Sequence, residues 1–236
     1  MATFSEHRGD IFSSEAQSIV VTVNTVGIMG AGIALEARLR WPRVFEDYVR
    51  ECESGVIRAG RPTLHSAGRF DVILFPTKID WKHPSSLRLV EQGLEGLVRL
   101  TGKRELQSVA MPHLGCSHGG LSWSEVKPMI IAIMSQVEGL HVELWEFIPD
   151  FVDPFFLEFR HKFLSMTPSA IAEWTGLSKR TISIVEKRLS SENFENFIQF
   201  RSARGIGIGT AEKIYRAAFT ESQPALQQSL FVDEEP

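Results

Sequence analysis

The 236-residue sequence predicts an α/β sandwich, a largely parallel sheet with helices on both faces, followed by a small all-α domain. Three observations carry this expectation. Strand-like apolar runs alternate with helical patterns as far as residue 147. After "IPDFVDPFF" (148–156) only helical patterns remain. Two glycine-rich connections stand directly after strands, the place where open α/β sheets bind ligands.

The expected strands are "SIVVTVN" (18–24), "FDVILFP" (70–76), "QSVAMP" (107–112) and "HVELWEF" (141–147). Near-continuous apolar, β-branched runs such as the first two suit strands buried on both faces. The helical patterns between them span Ala31 to Arg40, Arg43 to Glu53, Pro84 to Leu100 and Ser124 to Gln136. Pro149 and Pro154 then interrupt any regular pattern, so a second domain is expected to start near residue 155 or 160. Its helices are expected at Pro168 to Trp174, Lys179 to Arg188, Phe194 to Arg201 and Thr210 to Phe219. The chain thus divides into an α/β domain (1–155), a helical domain (160–220) and a polar tail (221–236).

A composition of 43% hydrophobic and 23% charged residues is that of an ordinary globular protein, which excludes fibrous and disordered classes. "MATFSEHRGD" lacks the basic and apolar regions of a signal peptide, and no apolar run approaches the roughly 20 residues of a spanning helix, so a cytoplasmic, membrane-free protein is expected. Cys52 and Cys116 stand far apart without metal-ligand spacing, and neither a metal nor a cofactor is expected. The net charge of -4 hides an asymmetry: residues 160–220 carry ten Lys and Arg against five Asp and Glu, between two acidic stretches. A basic segment of this size suits a solvated surface as well as a nucleic-acid partner.

The two glycine-rich stretches are "VNTVGIMGAGIALEARLRWP" (23–42) and "HLGCSHGGLSW" (113–123). Gly27, Gly30 and Gly32 in the first, and Gly115, Gly119 and Gly120 in the second, suit a backbone that approaches a phosphate at a helix N-terminus. Neither stretch matches the dinucleotide-binding or P-loop fingerprints, and by themselves both are compatible with tight turns that hold no ligand.

"RGDIF", "VNTVGIMGAGIALEARLRWP", "LFPTKIDWKHPSS" and "MPHLGCSHGGLSW", in this order and spacing, resemble the macrodomains of the DarG-type DNA ADP-ribosyl glycohydrolases, antitoxins to a DNA-modifying toxin, over about residues 4–148. The resemblance implies a three-layer α/β/α sandwich with a mixed sheet and a groove for ADP-ribose. It implies that Asp10, with Ile11 beside it, receives the adenine amino group. Asn24, with Thr25, would contact the distal ribose and assist catalysis. The loop through Gly27, Met29, Gly30 and Gly32 would approach the ribose and diphosphate, and Gly115, Cys116, Ser117, His118, Gly119 and Gly120 would clamp the other side. Lys78, after Thr77, matches the proposed catalytic lysine, which attacks the anomeric carbon or stabilises charge as the bond to the base breaks. An amine at the end of a buried strand can be desolvated toward its neutral, nucleophilic form, although a lysine there also suits simple phosphate pairing. Ser117 and His118, where smaller or amide residues are expected, and His113, where a second proline often stands, depart from the pattern and bear on substrate choice.

In the helical region, "ARGIGIGTAEKIYRA" (203–217) resembles a helix-hairpin-helix motif, whose turn amides hold a DNA phosphate without reading sequence. Gly205, Ile206 and Gly207 make the turn, and Gly209, Thr210 and Lys213 follow it. "TGLSKRTISIVEK" aligns with it at an offset of 29 residues, placing Gly176 on Gly205 and Thr181 on Thr210, with Lys179 and Arg180 between. This repeat favours tandem hairpins over a helix-turn-helix opening at Lys179 or a protein-docking bundle. "QQSLF" (227–231), in the polar tail, resembles the peptide by which bacterial proteins hold the sliding clamp, with Gln227 hydrogen-bonded and Leu230 and Phe231 in an apolar pocket.

The leading expectation is therefore an enzyme that removes ADP-ribose from DNA bases, with ADP-ribosylated DNA, ADP-ribose, DNA, the sliding clamp and a DNA-modifying toxin as partners. A reader that binds ADP-ribose without cleaving it, and an antitoxin that acts by gripping its toxin, are the alternatives. If the helical segment holds DNA through phosphates, its binding to duplex should be weak, insensitive to sequence and steeply salt-dependent. Removing residues 160–220 should then raise the substrate concentration needed on long modified DNA and leave cleavage of a short modified oligonucleotide nearly unchanged. Equal losses on both substrates would mark the helices as structural.

Overall fold

The computed structural model describes residues 1–221 as two compact units, Met1–Ile148 and the residues from Pro149 onward. The peptide at 227–231, with Gln227, Leu230 and Phe231, lies outside the described residues.

The first unit contains β1 (Thr3–Gly9), a 3-10 turn (Ile11–Ser13), β2 (Ser18–Val23), α1 (Gly32–Arg40), α2 (Pro42–Glu53), β3 (Thr63–Ala67), β4 (Phe70–Pro76), α3 (Leu87–Arg104), β5 (Ser108–Pro112), α4 (Trp123–Met134) and β6 (His141–Phe147). The six strands form one sheet in the order β1-β6-β5-β2-β4-β3. All neighbours are parallel except β3, which runs antiparallel to β4, so the sheet is mixed. The alternation of side chains explains the uninterrupted apolar runs. In β2, Ile19, Val21 and Val23 join Val72, Leu74, Ala37, Val44 and Tyr48 in one core layer, while Val20 joins Ile73, Phe75, Leu94, Leu97 and Ile130 in the other. Strands β2 and β4 are apolar in most positions because both of their faces are buried.

The two edge strands, β1 and β3, escaped the sequence reading for the converse reason. "TFSEHRG" and "TLHSA" are polar in most positions, and the pairing that makes them strands is supplied by β6 and β4. Ser5 and His7 of β1 are tied side chain to side chain at 2.7 Å, and His7 stacks on Trp145 of β6 at 4.8 Å between centroids. An edge strand with hydrogen-bonded polar side chains carries little hydrophobic signal.

The second unit is all helical: α5 (Pro154–Ser165), α6 (Pro168–Thr175), α7 (Lys179–Ser191), α8 (Phe197–Arg201) and α9 (Ile208–Glu221). Helix α5 was not expected, because the prolines before it read as breakers. Pro154 instead occupies the first turn, where its missing N–H costs nothing, and Asp153 caps it by accepting from the Phe155 N–H at 3.0 Å. Its aromatic face carries the core. Phe156, Phe159 and Phe163 are buried, and Phe156 and Phe159 lie 5.0 and 5.2 Å from the Phe197 ring, which also meets Tyr215 at 4.9 Å. Among the described residues no helix is long and apolar enough to cross a membrane.

Asn196, fully buried, ties this unit together. Its Oδ1 caps α8 by accepting from Gln199 N–H at 2.9 Å, and its Nδ2 donates to the carbonyls of Pro149 and Phe151 at 3.1 and 2.8 Å. Asn196→Ala removes the cap and both donors together, so it should destabilise the second unit by about 2–4 kcal/mol. Asn196→Asp keeps the cap but places a carboxylate against two carbonyls, and should recover little of that loss. Denaturant unfolding of the full chain measures both, and a change under about 0.5 kcal/mol in either variant would show the contacts to be incidental.

Candidate active site

The strand order fixes where a ligand can bind. From β2 the chain moves through α1 and α2 toward β3 and β4, while from β5 it moves through α4 to β6 on the opposite side. The loops leaving these two adjacent strands therefore diverge and leave a crevice at their carboxyl ends, the switch-point position of open α/β sheets. They are the two glycine-rich stretches, 24–31 and 113–122.

Asn24 organises the first loop. Its side chain is 6% exposed, its Oδ1 accepts from the N–H groups of Val26 and Ile28 at 3.0 and 3.3 Å, and its Nδ2 donates to the Ile28 carbonyl at 2.6 Å. The Tyr48 hydroxyl, on α2, donates to both the Asn24 carbonyl and Oδ1 at 3.0 and 2.9 Å. Burial, with the Cys52 thiol nearby, raises the Tyr48 pKa far above the ordinary phenol range, so the hydroxyl stays a donor at any working pH. Both ends of the Asn24 amide are thus engaged by the loop, and Asn24 fixes the loop's course. Gly27 sits at φ +80°, a conformation that side chains rarely adopt. Met29 is buried and anchors the loop in the core, whereas Gly30 is exposed at the rim. Helix α1 then opens at Gly32 with no side-chain cap on its first turn, leaving backbone N–H groups for an anion.

The second loop closes over the first. A Cβ on Gly32 would lie 3.5 Å from the His118 Nδ1, so the His118 ring rests against the start of α1. Gly115 and Gly120 turn this loop with positive φ, and Gly119 is required by space, since a Cβ there would overlap the Gly115 carbonyl and the Ser85 hydroxyl. The Ser85 N–H donates to the Gly119 carbonyl at 3.0 Å and supports the loop from below. Ser117 is exposed, while Cys116 is half-buried, and burial pushes its thiol pKa up, which disfavours a thiolate nucleophile there. His113 stacks on Trp123 at 3.7 Å between centroids, and burial lowers its pKa.

Lys78 stands where these loops meet. It leaves β4 after the buried Thr77, whose N–H donates to the Val23 carbonyl at 2.9 Å, and its Nζ donates to the His118 carbonyl at 2.7 Å. Thr25 completes the junction: its N–H and Oγ1 donate to the Ile79 carbonyl at 3.0 and 2.9 Å. The amine is therefore held by a backbone carbonyl of the 113–122 loop, and the loop that carries it is bonded to the loop after β2 through Thr25 and Ile79.

At the other end, Asp10 follows β1 and caps the 3-10 turn, its Oδ1 accepting from Phe12 N–H at 3.2 Å; the side chain of the next residue, Ile11, is buried in the core. Its Oδ2 lies 3.6 Å from Arg40 Nη2, and Arg40 in turn pairs with the buried Glu36 at 3.1 Å and covers the Phe12 ring at 4.4 Å. Phe147, half-exposed, ends β6 in register with Gly9 and so stands one residue from Asp10 along the edge. The sequence reading missed Phe147, Tyr48, Ser85, Arg40 and Glu36. Phe147 lay inside an expected strand, Tyr48 sits on a helix outside the quoted stretches, and Glu36, Arg40 and Ser85 lie inside those stretches at positions whose role depends on distant partners.

In the second unit, Gly176 and Gly205 both adopt positive φ (67° and 92°), and each is followed by a buried apolar residue, Leu177 or Ile206, before the next helix. Lys179, Arg180, Gly207, Gly209 and Lys213 are exposed and Thr210 half-buried around these turns, and Lys213 Nζ, on α9, donates to the Gly176 carbonyl at 2.7 Å.

A parallel-centred mixed sheet with two glycine loops at its switch point and an aspartate after the first strand defines a nucleotide-type ligand groove, and a family model described as Macro domain matches residues 20–130. The chain belongs to the macrodomain family. Within that family it is similar to the macrodomain of Thermus aquaticus DarG, with 36% identity and a TM-score of 0.59 over 62% of this chain and 99% of that one. It is also similar to the structure of Thermosipho africanus DarTG in complex with ADP-ribose, at 32% identity and a TM-score of 0.58 over 63% of this chain and 43% of that one. A DNA ADP-ribosyl glycohydrolase of Thermus aquaticus is 38% identical over 146 residues, which are 60% of this chain and 40% of that protein. The chain thus spans about two fifths of the length of that curated relative.

Tyr48→Phe removes two hydrogen bonds from the loop brace without opening a cavity. It should lower stability by about 1–2 kcal/mol and weaken ADP-ribose binding several-fold, read by unfolding and calorimetry. Unchanged affinity with lowered stability would show that the brace does not shape the groove.

Proposed function

We propose that the protein hydrolyses the N-glycosidic bond between ADP-ribose and a DNA base. The observation that carries this reading is the Lys78 amine, held by the His118 carbonyl at 2.7 Å where the two ligand loops meet. A groove that only bound ADP-ribose has no need of an amine at that junction. The similarity to a DNA ADP-ribosyl glycohydrolase and to a structure holding ADP-ribose supports the same reading.

In this reading the adenine lies toward Asp10 and Phe147, the diphosphate crosses the uncapped start of α1 beneath the 113–122 loop, and the distal ribose reaches Lys78. Asn24 holds the loop that flanks this ribose. The bond from the anomeric carbon to the base breaks with its electron pair leaving on the base nitrogen, which takes up a proton. Lys78 acts in one of two ways: its nitrogen bonds to the anomeric carbon and is later released by water, or it stabilises the departing base by charge. Either way water supplies the hydroxyl of the free ADP-ribose. The turns at Gly176 and Gly205, with Lys179, Arg180, Thr210 and Lys213, would hold DNA phosphates and raise the local substrate concentration. A DNA-modifying ADP-ribosyl transferase is the partner this activity calls for, and the 227–231 peptide would add attachment to the sliding clamp.

Lys78→Ala should abolish release of ADP-ribose from DNA modified on thymine or guanine, while binding of free ADP-ribose falls only a few-fold because the backbone donors and Asp10 remain. Full activity in that variant would overturn the assignment. Borohydride added during turnover separates the two roles of Lys78: a covalent adduct at Lys78 marks attack by its nitrogen, and loss-free turnover marks the electrostatic role.

A further inference from the structure

Seven large apolar residues are exposed among those described in the first unit, and four of them, Val26, Ile28, Ile79 and Trp81, fall in the two loops that flank Lys78. They are 47%, 46%, 52% and 52% exposed. Scattered exposed apolar residues need no explanation, but a cluster at the mouth of a polar groove does. The cluster is also built rather than loose. Thr25 bonds the Ile79 carbonyl twice, at 3.0 and 2.9 Å, which joins the loops, and the Asn24 side chain fixes the backbone between Val26 and Ile28. The Asp80 carboxylate accepts from Lys82 N–H at 2.9 Å, and its carbonyl accepts from His83 N–H at 3.1 Å, making the turn that carries Trp81. The Lys82 amine lies 5.6 Å from the Trp81 ring centroid.

We infer that Trp81 is the stacking platform for the modified nucleobase of single-stranded DNA, with Ile79, Val26 and Ile28 as its apolar border and Lys82 as the partner of an adjoining phosphate. The inference rests on the glycohydrolase reading for the position of the scissile bond. With the adenine at the Asp10 end and the distal ribose at Lys78, the base and its strand must leave the groove over the loops after β2 and β4. An exposed indole with a neighbouring ammonium is the pairing by which single strands are held, base on ring and phosphate on cation. A base inside a duplex presents no face to such a ring, so the platform selects an unpaired or extruded nucleotide. The aromatic end at Phe147 serves the other terminus of the ligand, and among the described residues Trp81 is the one exposed Phe, Tyr or Trp in the loops around Lys78, where the smaller rings of His83 and His118 are also exposed.

The test uses the full chain carrying Lys78→Ala, which leaves the substrate uncleaved, and compares free ADP-ribose with a trinucleotide ADP-ribosylated on its central base. Adding Trp81→Ala should weaken trinucleotide binding about ten-fold, the usual loss for a base-stacking aromatic, and change ADP-ribose binding less than two-fold. Trp81→Phe should restore most of the difference, and Lys82→Ala should flatten the salt dependence of trinucleotide binding alone. In the otherwise native chain, Trp81→Ala should raise KM for the modified oligonucleotide with kcat nearly kept. Equal weakening of both ligands would make Trp81 part of the ADP-ribose pocket, and no weakening of either would free the ledge for another partner; each overturns the inference. Failure of the native chain to release ADP-ribose would overturn the glycohydrolase reading instead, and the binding comparison still decides on Trp81.

Discussion

The central constraint of this fold is a polar side chain placed at the end of its most buried strand. Strand β2 has apolar layers on both faces, and Asn24 follows it with only 6% of its surface exposed. A buried amide that does not find hydrogen-bond partners costs a few kcal/mol, so its four bonding directions must be spent. The oxygen accepts from Val26, Ile28 and Tyr48 and the nitrogen donates to the Ile28 carbonyl, so the loop is held to one course. The path of that loop sets where α1 begins, where His118 can rest, and where Lys78 is held. Stability and ligand geometry share the same bonds here, because the groups that satisfy the core are those that shape the groove.

The groove is made mainly of backbone. In the proposed function its anion-facing elements are the uncapped first turn of α1 and the turns of the 113–122 loop, neither of which needs a charged side chain. Charge is kept instead at the two ends, Asp10 with Arg40 and Glu36 at one and Lys78 at the other. The Arg40 guanidinium sits within reach of two carboxylates and over the Phe12 ring, which keeps the Asp10 carboxylate in a fixed place. In the proposed function, a neutral middle with charged ends would orient a long, doubly anionic ligand and leave the Lys78 amine beside the bond to be broken. The second unit also has positive-φ glycines, Gly176 and Gly205, ahead of helix starts, with exposed Lys179, Arg180 and Lys213 around them.

Much of this architecture was legible in the residues, and the misses follow a rule. The four central strands and four flanking helices announce themselves because burial on both faces demands apolar runs and apolar stripes. Edge strands β1 and β3 make no such demand, and their identity comes from hydrogen bonds to neighbours far away in the chain. Helix α5 was hidden by Pro154, a residue that breaks a helix interior yet starts a helix well. Of the site, the residues carried by glycine loops and by the "FPTK" stretch were recognisable as a pattern, and the three loops do converge on Lys78.

By itself the sequence determined the sandwich with its helical appendix, the positions of both ligand loops and the amine that follows β4. Those are local properties: periodicity, β-branching, and glycines in places where a helix or strand would reject them. Tertiary structure decided what no local pattern encodes. It placed Tyr48, from a helix 24 positions later in the chain, under Asn24; it set Phe147 beside Gly9 across a strand pair; and it joined the loop with Val26 and Ile28 to the loop with Ile79 and Trp81. The physical reason is that hydrogen-bond satisfaction and side-chain exposure depend on which distant elements arrive at a point, and chain topology alone settles that arrival.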